Sequence, residues 1–279
     1  MQQQMMNTAV TLGQIERQLD LVANNIANVG TTGYKQRNAQ FSDLLAQQVT
    51  NMAPGSDAAD TAARLTPSGI RTGSGARTGD SQLDLTEGTL ETTGNPLDVA
   101  LTNDQYYFTV SANGGIAYTR AGNFETLPDP ANAGRLRLLT NDGQAVLGAD
   151  GQPLELPSGY TAVEIDNTGT MTATLPGGAQ VNCGRLGIAQ IIRPQLLLSQ
   201  GGNVLTLPNL TALGLGLGEV VQPVAAGDAG VAQGKLEDSN VDLSNEMTQL
   251  INLQRNYQLN AQSISMSDQM LGLVNSMLQ

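Results

Sequence analysis

Residues 24–35 read Asn-Asn-Ile-Ala-Asn-Val-Gly-Thr-Thr-Gly-Tyr-Lys, and they end a regular apolar pattern that begins at the first residue. Gly30 and Gly33 predict a chain reversal, because glycine accepts the left-handed backbone conformation that closes a helix. Three asparagines lie near this helix end: Asn24, Asn25 and Asn28. The residues alone leave two interpretations open: buried amides that fix the register between helices of different subunits, or amides that cap the last helical carbonyls.

The segment before this turn carries a heptad pattern. Its stripe positions are spaced alternately by four and three residues, and Thr8 is the only polar member: Met1, Met5, Thr8, Leu12, Ile15, Leu19, Val22, Ile26 and Val29. This spacing predicts an α-helix. Because the stripe is narrow, it also predicts that the helix packs against a partner helix.

The C-terminal segment repeats this pattern. Six positions stand seven residues apart: Leu243, Leu250, Tyr257, Ile264, Leu271 and Leu278. The companion positions become increasingly polar: Met247, Gln254, Ala261, Asp268 and Asn275. The pattern predicts a second helix. This helix either covers a core of its own chain or forms a coiled coil with the N-terminal helix.

The middle of the chain shows short alternating segments separated by turn residues. The predicted strands lie around residues 97–101, 106–110, 136–139, 146–147, 154–156 and 163–165. Their spacing is typical of antiparallel β structure. We therefore predict an α+β fold, with N- and C-terminal helices forming a coiled-coil-like domain and a central, mainly antiparallel β domain. The predicted boundaries are 1–33 and 235–279 for the helical domain, 34–80 for an irregular arm or linker, and 81–234 for the β domain.

The composition excludes several kinds of chemistry. The 279 residues include 13 Lys and Arg against 25 Asp and Glu, which gives a net charge of -12. An acidic surface repels phosphate, so nucleic acid and anionic membranes are not expected partners. With no His and one Cys, the sequence contains no Ser-His-Asp triad, no His-based metal site and no disulfide within the chain. We expect no cofactor and no metal.

Three remaining groups of residues each have a functional and a structural interpretation. Glu87 and Glu91 could form a glycosidase carboxylate pair, but the absence of neighbouring aromatic residues favours solvated strand-edge positions. Three aspartates adjoin Gly or Asn, where turn chemistry is favoured over calcium binding because the EF-hand spacing is absent: Asp142, Asp150 and Asp166. Cys183 is expected to fill a small space, since reactivity would need a neighbour such as Arg185.

The stretch at residues 24–35 closely resembles the N-terminal signature of flagellar rod and hook proteins. Further blocks follow in the family order. Residues 88–98 contain Gly-Thr-Leu and Thr-Gly-Asn-Pro-Leu-Asp, residues 118–124 read Tyr-Thr-Arg-Ala-Gly-Asn-Phe, and residues 234–257 resemble the closing block. Residues 170–230 match none of these signatures. The length is similar to that of a distal-rod type protein. The alternative subtype is a hook-basal-body paralogue of the kind found in some Gram-positive bacteria.

The resemblance implies a structural subunit of the bacterial flagellar basal body, in the rod or at the rod-hook junction, and not an enzyme. It implies polymerisation into a helical tube that transmits torque. The implied partners are copies of the chain itself, other rod and hook subunits, and the flagellar type III export apparatus, with no nucleic acid and no small-molecule substrate. The first residues lack the pattern of a cleaved signal peptide, which fits such export. The alternatives are a full hook-type subunit, a secreted β-domain hydrolase or an adhesin.

Residues of the two stripes and of the first motif are the predicted subunit-interface residues. They are Leu12, Ile15, Leu19, Val22, Asn24, Asn25, Ile26, Asn28, Tyr34, Leu243, Met247, Leu250, Tyr257, Ile264, Leu271 and Leu278. Tyr34 and Tyr257 have an alternative interpretation as half-buried rings on a core of their own chain. Because such narrow helices are marginal in water, we expect both ends to be largely disordered in an isolated subunit.

Overall fold

The computed structural model describes residues 2–39, 41–43, 47–49, 70–72, 76–79, 81–112, 114–129, 132, 134–199, 201, 203–225, 227 and 229–277. Helix α1 spans Gln2–Ala27, and helix α2 spans Leu243–Met277. Short strands recur along the described chain between them, which confirms the α+β prediction; the coiled-coil character stays a prediction. Among the described helices, none is both long and apolar enough to cross a bilayer.

The described strands are short and lie at close intervals along the chain. Those of the first half are β1 (Arg37–Asn38), β2 (Phe41–Asp43), β3 (Gln47–Val49), β4 (Ile70–Thr72), β5 (Ala76–Thr78), β6 (Gln82–Leu83), β7 (Leu90–Thr92), β8 (Val99–Leu101), β9 (Tyr106–Ala112), β10 (Gly115–Thr119), β11 (Phe124–Pro128) and β12 (Arg135–Thr140). Those of the second half are β13 (Ala145–Val146), β14 (Glu155–Pro157), β15 (Ala162–Ile165), β16 (Thr170–Thr174), β17 (Gln180–Arg185), β18 (Ile188–Ile191), β19 (Leu198–Ser199), β20 (Val204–Thr206), β21 (Val221–Pro223), β22 (Val231–Gln233) and β23 (Lys235–Glu237).

The largest sheet has ten strands and is antiparallel throughout. Its order is β11-β12-β13-β9-β10-β20-β19, with β14 on β12, β18 on β9, and β21 on β18. Strands β8, β9, β12, β13, β14 and β15 coincide with the segments predicted from alternation. Strand β15 belongs to a separate three-stranded sheet, β15-β16-β17, so residues 170–230 contribute further strands to the same β region.

The core lies under these sheets because alternate side chains of each strand point inward. Phe108 and Phe124 are fully buried, and their rings meet edge to face with centroids 5.1 Å apart. The main cluster also contains the aliphatic residues Val99, Leu101, Val110, Leu138, Leu156 and Leu186. A second buried cluster surrounds Tyr107 and Tyr118. Because so many apolar side chains are buried there, the β region contains the largest hydrophobic core in the described chain.

The chain divides into two compact units. Unit 1 comprises Met1–Asn24, Asn38–Gln82 and Ser244–Gln279, and unit 2 comprises Asn25–Arg37 and Leu83–Leu243. Unit 1 therefore contains nearly all of both helices, while the turn after α1 belongs to the β unit. The predicted domain boundaries at residues 33 and 235 stay predictions, since they rest on sequence pattern alone.

The arm predicted to be irregular is described only in part. Its described segments pair as antiparallel strands, β2 with β5 and β3 with β4, with Phe41 opposite Thr78 and Gln47 opposite Thr72. The two pairs are nested, so the arm folds back on itself. The residues between these strands lie outside the described chain.

Candidate functional site

A cluster of three buried charges lies within unit 2, and we call it the charge cluster: Lys35, Arg120 and Glu237. The Lys35 Nζ atom donates to Glu237 Oε1 at 2.8 Å, and the Arg120 Nε atom donates to Glu237 Oε2. The three side chains are only 1 to 3% exposed. One carboxylate thus joins two cations that come from distant parts of the sequence.

Backbone carbonyls accept further hydrogen bonds from the two cations, Lys35 and Arg120. The Arg120 guanidinium donates to the carbonyl oxygens of Leu101, Asn103 and Tyr106. The Lys35 ammonium donates to the Thr86 carbonyl at 2.6 Å and to the Leu85 carbonyl at 3.4 Å. Glu237 Oε1 also accepts from the Gly88 amide at 3.0 Å. The carbonyl dipoles offset the extra positive charge of the cluster, so the cations act as crosslinks between loops.

Burial sets the ionisation of the groups around this cluster. Desolvation lowers the pKa of Lys35 below its usual value, although the neighbouring Glu237 carboxylate works in the opposite direction. Desolvation also raises the pKa of Tyr107, whose ring lies 5.8 Å from the Arg120 guanidinium carbon. The arrangement holds charge in a fixed place, which is typical of a structural crosslink.

Two glycines allow the backbone segments beside Arg120 to approach closely. Gly33 has a φ of +67°, and a Cβ atom there would lie 2.5 Å from the Arg120 carbonyl carbon. The Gly33 amide donates to the Glu237 carbonyl oxygen at 2.7 Å. At Gly122 a Cβ atom would lie 1.7 Å from the Val99 carbonyl oxygen. Glycine is therefore required at both positions by contact, and at Gly33 by conformation as well.

Asn25 fixes the course of the chain after α1. Its side chain is buried, and its Oδ1 accepts from the Tyr34 hydroxyl and from the Arg37 amide, both at 3.1 Å. Its Nδ2 donates to the Arg37 carbonyl at 3.0 Å. Asn25 thus bonds to Tyr34 and Arg37 of its own chain, which assigns it to shaping the turn.

The other asparagines of the motif lie nearer the surface. The Asn24 amide is exposed and donates to the Asp20 carbonyl at 2.7 Å. Asn28 is half-buried and accepts from the Thr31 hydroxyl at 3.2 Å. Both contacts lie within one chain, and neither is a hydrogen bond to one of the last helical carbonyls. The capping role and the register role between subunits both stay predictions.

Asp98 closes the turn before strand β8. Its two carboxylate oxygens accept from the Thr93 hydroxyl at 2.6 Å and the Asn95 amide at 3.0 Å. The Asp98 carbonyl accepts from the Gly234 amide at 2.8 Å. The Thr-Gly-Asn-Pro-Leu-Asp block is therefore a turn that attaches the segment before β8 to the segment before β23.

Helix α1 places its predicted stripe on its less exposed side. Ile15 and Val22 are buried, and the other stripe residues named as interface positions are half-buried: Leu12, Leu19 and Ile26. Within unit 1 the Tyr257 hydroxyl of α2 donates to Glu16 Oε1 at 3.3 Å. Tyr34, in unit 2, and Tyr257 are both half-buried, which is the alternative interpretation given above for their rings.

Helix α2 has one shielded face and one exposed apolar face. The shielded face carries Glu246, Leu250, Leu253, Tyr257, Asn260, Ile264 and Ser267. The companion positions Met247, Gln254, Ala261 and Asp268 are exposed, and the positions one residue earlier are shielded instead. Leu253 follows Leu250 by three residues, which places a second leucine on the shielded face. The side chain of Leu271, and Leu278, lie outside the described residues.

The exposed apolar face of α2 contains eight large side chains. They are Leu243, Met247, Ile251, Leu259, Met266, Met270, Leu273 and Met277, with exposed fractions of 42 to 87%. Those from Leu259 onward repeat at spacings of seven, four, three and four residues. A second heptad-like stripe therefore runs along the C-terminal half of the helix, on the side away from the shielded face.

The alternative chemistries find ordinary structural roles in the described residues. Glu87 and Glu91 are exposed, and Glu91 lies on strand β7 opposite Leu236. The Thr168 hydroxyl donates to Asp166 Oδ1 at 2.6 Å, and this bond, with those from the Thr168 and Thr170 amides at 2.9 Å, lowers the pKa of Asp166. Cys183 is half-buried, and burial raises the pKa of its thiol.

Comparison with known proteins identifies the family. Three family models match: Flagella basal body rod protein over residues 6–35, Flagellar hook protein FlgE/F/G D1 domain over 100–173, and Flagellar basal body rod FlgEFG protein C-terminal over 232–277. The flagellar hook-basal body complex protein FlhP of Bacillus subtilis is 38% identical over 98% of both chains. This chain belongs to the flagellar rod and hook protein family.

Other members of the family align over nearly the whole chain. The flagellar basal-body rod protein FlgG of Caulobacter vibrioides is 32% identical over 96% of this chain and 97% of its own. The FlgG protein of Bacillus subtilis is 34% identical over 92% of this chain and 91% of its own. The resemblance inferred from the motifs is therefore confirmed.

The charge cluster joins the three segments that match the family models. Lys35 lies at the end of the first segment, Arg120 in the second and Glu237 in the third. All three residues lie inside the motifs described above, but none of them was predicted as a site residue. The available signal was that each is a charged residue within a motif, in a chain where only 14% of residues are charged.

Proposed function

We propose that the chain is a structural subunit of the flagellar basal body that polymerises into a helical tube and transmits torque. The relatives named as rod and hook-basal body proteins support this role. The extent of the FlhP and FlgG alignments supports a rod or rod-hook junction subunit rather than a full hook subunit. Assembly, rather than catalysis, is then the activity of the chain.

The observation that carries this proposal is the exposed apolar face of α2. In the isolated chain, eight large apolar side chains of α2 are exposed to water. Full burial of a fully exposed side chain of this size gains about 1.5–3 kcal/mol, and each of these side chains would gain the part that corresponds to its exposed fraction. An exposed apolar face of this kind marks an interaction site. Because the narrow stripes of both helices repeat along their length, neighbouring copies of the chain are the partners that fit them.

The predicted interface residues take two roles in this proposal. Leu243 and Met247 belong to the exposed face of α2 and would contact a neighbouring subunit directly. Leu250, Tyr257 and Ile264 lie on the shielded face and would hold the helices of one subunit together. The partly shielded stripe of α1 would close on neighbouring helices in the same way.

Several finer features of the proposal rest on the family alone. The chain would reach the basal body through the flagellar type III export apparatus, without a cleaved signal, and would contact other rod and hook subunits there. A weakly stable helical unit suits export in an unfolded form, because terminal helices of this kind are marginal before they assemble. The charge cluster would keep the β unit rigid enough to bear torque.

Substitution on the exposed face of α2 tests the proposal. Replacing Leu259 and Met266 by Asp puts charge at positions that assembly would bury, and should abolish filament formation in sedimentation and electron microscopy. The matched control replaces Ala261 and Ser265 by Asp, because both are exposed on the same helix but away from the stripe of Leu259 and Met266. This control should assemble normally. Wild-type assembly by the Leu259→Asp, Met266→Asp chain would contradict the proposal.

A truncation tests the division of labour between the units. Because Asn25–Arg37 belongs to the β unit, the chain should be cut before Asn25, so that the contacts of Asn25 and Lys35 are kept. The truncated chain should retain its β-type circular dichroism and lose assembly.

An adhesin-like monomer predicts instead that both ends of the intact, isolated chain are as protected from hydrogen exchange as the centre. A hydrolase using Glu87 and Glu91 predicts loss of cell-wall cleavage when both are replaced by Gln.

A further inference from the structure

A small cavity in unit 2 lies between the turn of the first motif and strand β9. It offers about 20 Å³ of space to the centre of a water molecule. Its lining includes Gly33, Lys35, Tyr107, Arg120 and Asn203. A space of roughly 10–15 Å³ by this measure is enough for one water molecule, so the cavity has room for one water molecule.

Two buried polar atoms beside the cavity have no hydrogen-bond partner among the described residues: Tyr107 Oη and Asn203 Oδ1. Both residues line the cavity. A buried hydroxyl or amide oxygen without a partner costs about 1–3 kcal/mol. Such atoms are therefore satisfied in native proteins, by protein groups or by ordered water.

The orientation of the Asn203 amide is fixed by its other contact. The Nδ2 atom donates to the Thr32 carbonyl oxygen, so a flipped amide would bring two acceptor oxygens together. Asn203 therefore presents an acceptor to the cavity, whereas Tyr107 Oη can either donate or accept. A molecule that accepts from one group and donates to the other satisfies both atoms.

The charges around the cavity decide between water and an ion. Lys35 and Arg120 both line it, so a cation of similar size would be repelled. An anion would meet the acceptor oxygen of Asn203 at close range. A neutral molecule with both donor and acceptor capacity avoids both conflicts.

We infer that one internal water molecule binds in this cavity, accepts a hydrogen bond from the Tyr107 hydroxyl and donates one to Asn203 Oδ1. Through the Asn203 amide and the Thr32 carbonyl, this water connects the turn after α1 to the ten-stranded sheet. It thereby extends the set of crosslinks that the charge cluster begins. The site is independent of whether the chain polymerises.

Tyr107→Phe in the full chain tests the inference. If the water is bound, the substitution removes one of its partners, and the ratio of folded to unfolded β unit in urea should fall about fivefold, as for loss of one net hydrogen bond. If the hydroxyl has no partner, Phe removes an unsatisfied group and the ratio should stay the same or rise. Tyr106→Phe, at the neighbouring half-buried position of β9, is the matched control and should leave the ratio unchanged.

A crystal structure of the full chain provides an independent measurement. A single ordered water within about 3.2 Å of both Tyr107 Oη and Asn203 Oδ1 is the expected result. A bromide soak with an anomalous peak in the cavity would overturn the assignment in favour of a halide. Density that shows the two side chains rotated away to other partners would also overturn it.

Discussion

Lys35 and Glu237 lie 202 positions apart in the sequence and form a buried ion pair with an Nζ to Oε1 distance of 2.8 Å. The same carboxylate binds Arg120, so the charge cluster holds two cations and one anion in a site that is almost fully shielded from water. A buried charge is tolerated only when it is paired and hydrogen-bonded. The stability of the β unit therefore depends more on Glu237 than on either cation.

Glu237→Gln should destabilise the β unit by about 3–5 kcal/mol, because it leaves two buried cations with no counter-charge. Lys35→Met should cost less, since it leaves Arg120 and Glu237 as a neutral pair. Urea unfolding followed by circular dichroism and tyrosine fluorescence measures both changes. Arg135→Gln is the control: it breaks an ion pair whose arginine side chain is 64% exposed, and should cost less than about 1 kcal/mol. Equal losses for Glu237→Gln and Lys35→Met would show that charge balance does not govern the cluster.

The strands and helices could be predicted from the sequence, whereas the contacts between distant residues could not. Alternation located strands β9 and β12 because apolar residues recur at every second position, as Phe108 and Val110 do, and this recurrence is visible in local spacing. Strand β8 was located in the same way, although all three of its residues are buried. The meeting of Lys35 with Glu237 depends on strand order and on the close approach at Gly33, neither of which is visible in local pattern. For α2 the heptad of Leu250 and Tyr257 was identified, and both residues lie on the shielded face. Leu253 lies on that face as well, but it falls outside the seven-residue repeat, so the repeat alone does not predict its place.

Gly33→Ala should destabilise the β unit more than an ordinary glycine replacement. Gly33 has a left-handed backbone, and an added Cβ atom would lie 2.5 Å from the Arg120 carbonyl carbon. Gly94 is the matched control, because it has a similar φ of +73° and nothing lies within 4 Å of its Cβ position. We expect Gly94→Ala to cost about 1 kcal/mol from conformation alone, and Gly33→Ala to cost clearly more in the same urea titration. Equal costs would mean that the turn moves away from Arg120 without penalty.

Asn25→Asp should weaken the turn after α1. The substitution keeps the acceptor for the Tyr34 hydroxyl and the Arg37 amide but removes the donor to the Arg37 carbonyl. A buried carboxylate oxygen would then face that carbonyl, at a cost of about 1–3 kcal/mol. Hydrogen exchange at the Arg37 amide should accelerate at least about fivefold. Asn24→Asp, at the exposed neighbouring position, should leave that exchange rate unchanged; if both variants behave alike, the turn does not depend on Asn25.

Alkaline titration should reveal the burial of Tyr107 and Tyr118. Desolvation raises the pKa of both hydroxyls above the ordinary value of 10.0, so the folded chain keeps protons that the unfolded chain releases. The stabilising contribution is complete below pH 10 and is lost as the pH rises above it, by up to about 1.4 kcal/mol per pH unit and per group. Absorbance at 295 nm, where tyrosinate absorbs, should show these two tyrosines ionising at a higher pH than a solvent-exposed tyrosine does. In Tyr107→Phe the stability should fall less steeply above pH 10 than in the wild type, because one of the two groups is gone. An unchanged slope would place the Tyr107 hydroxyl in contact with solvent.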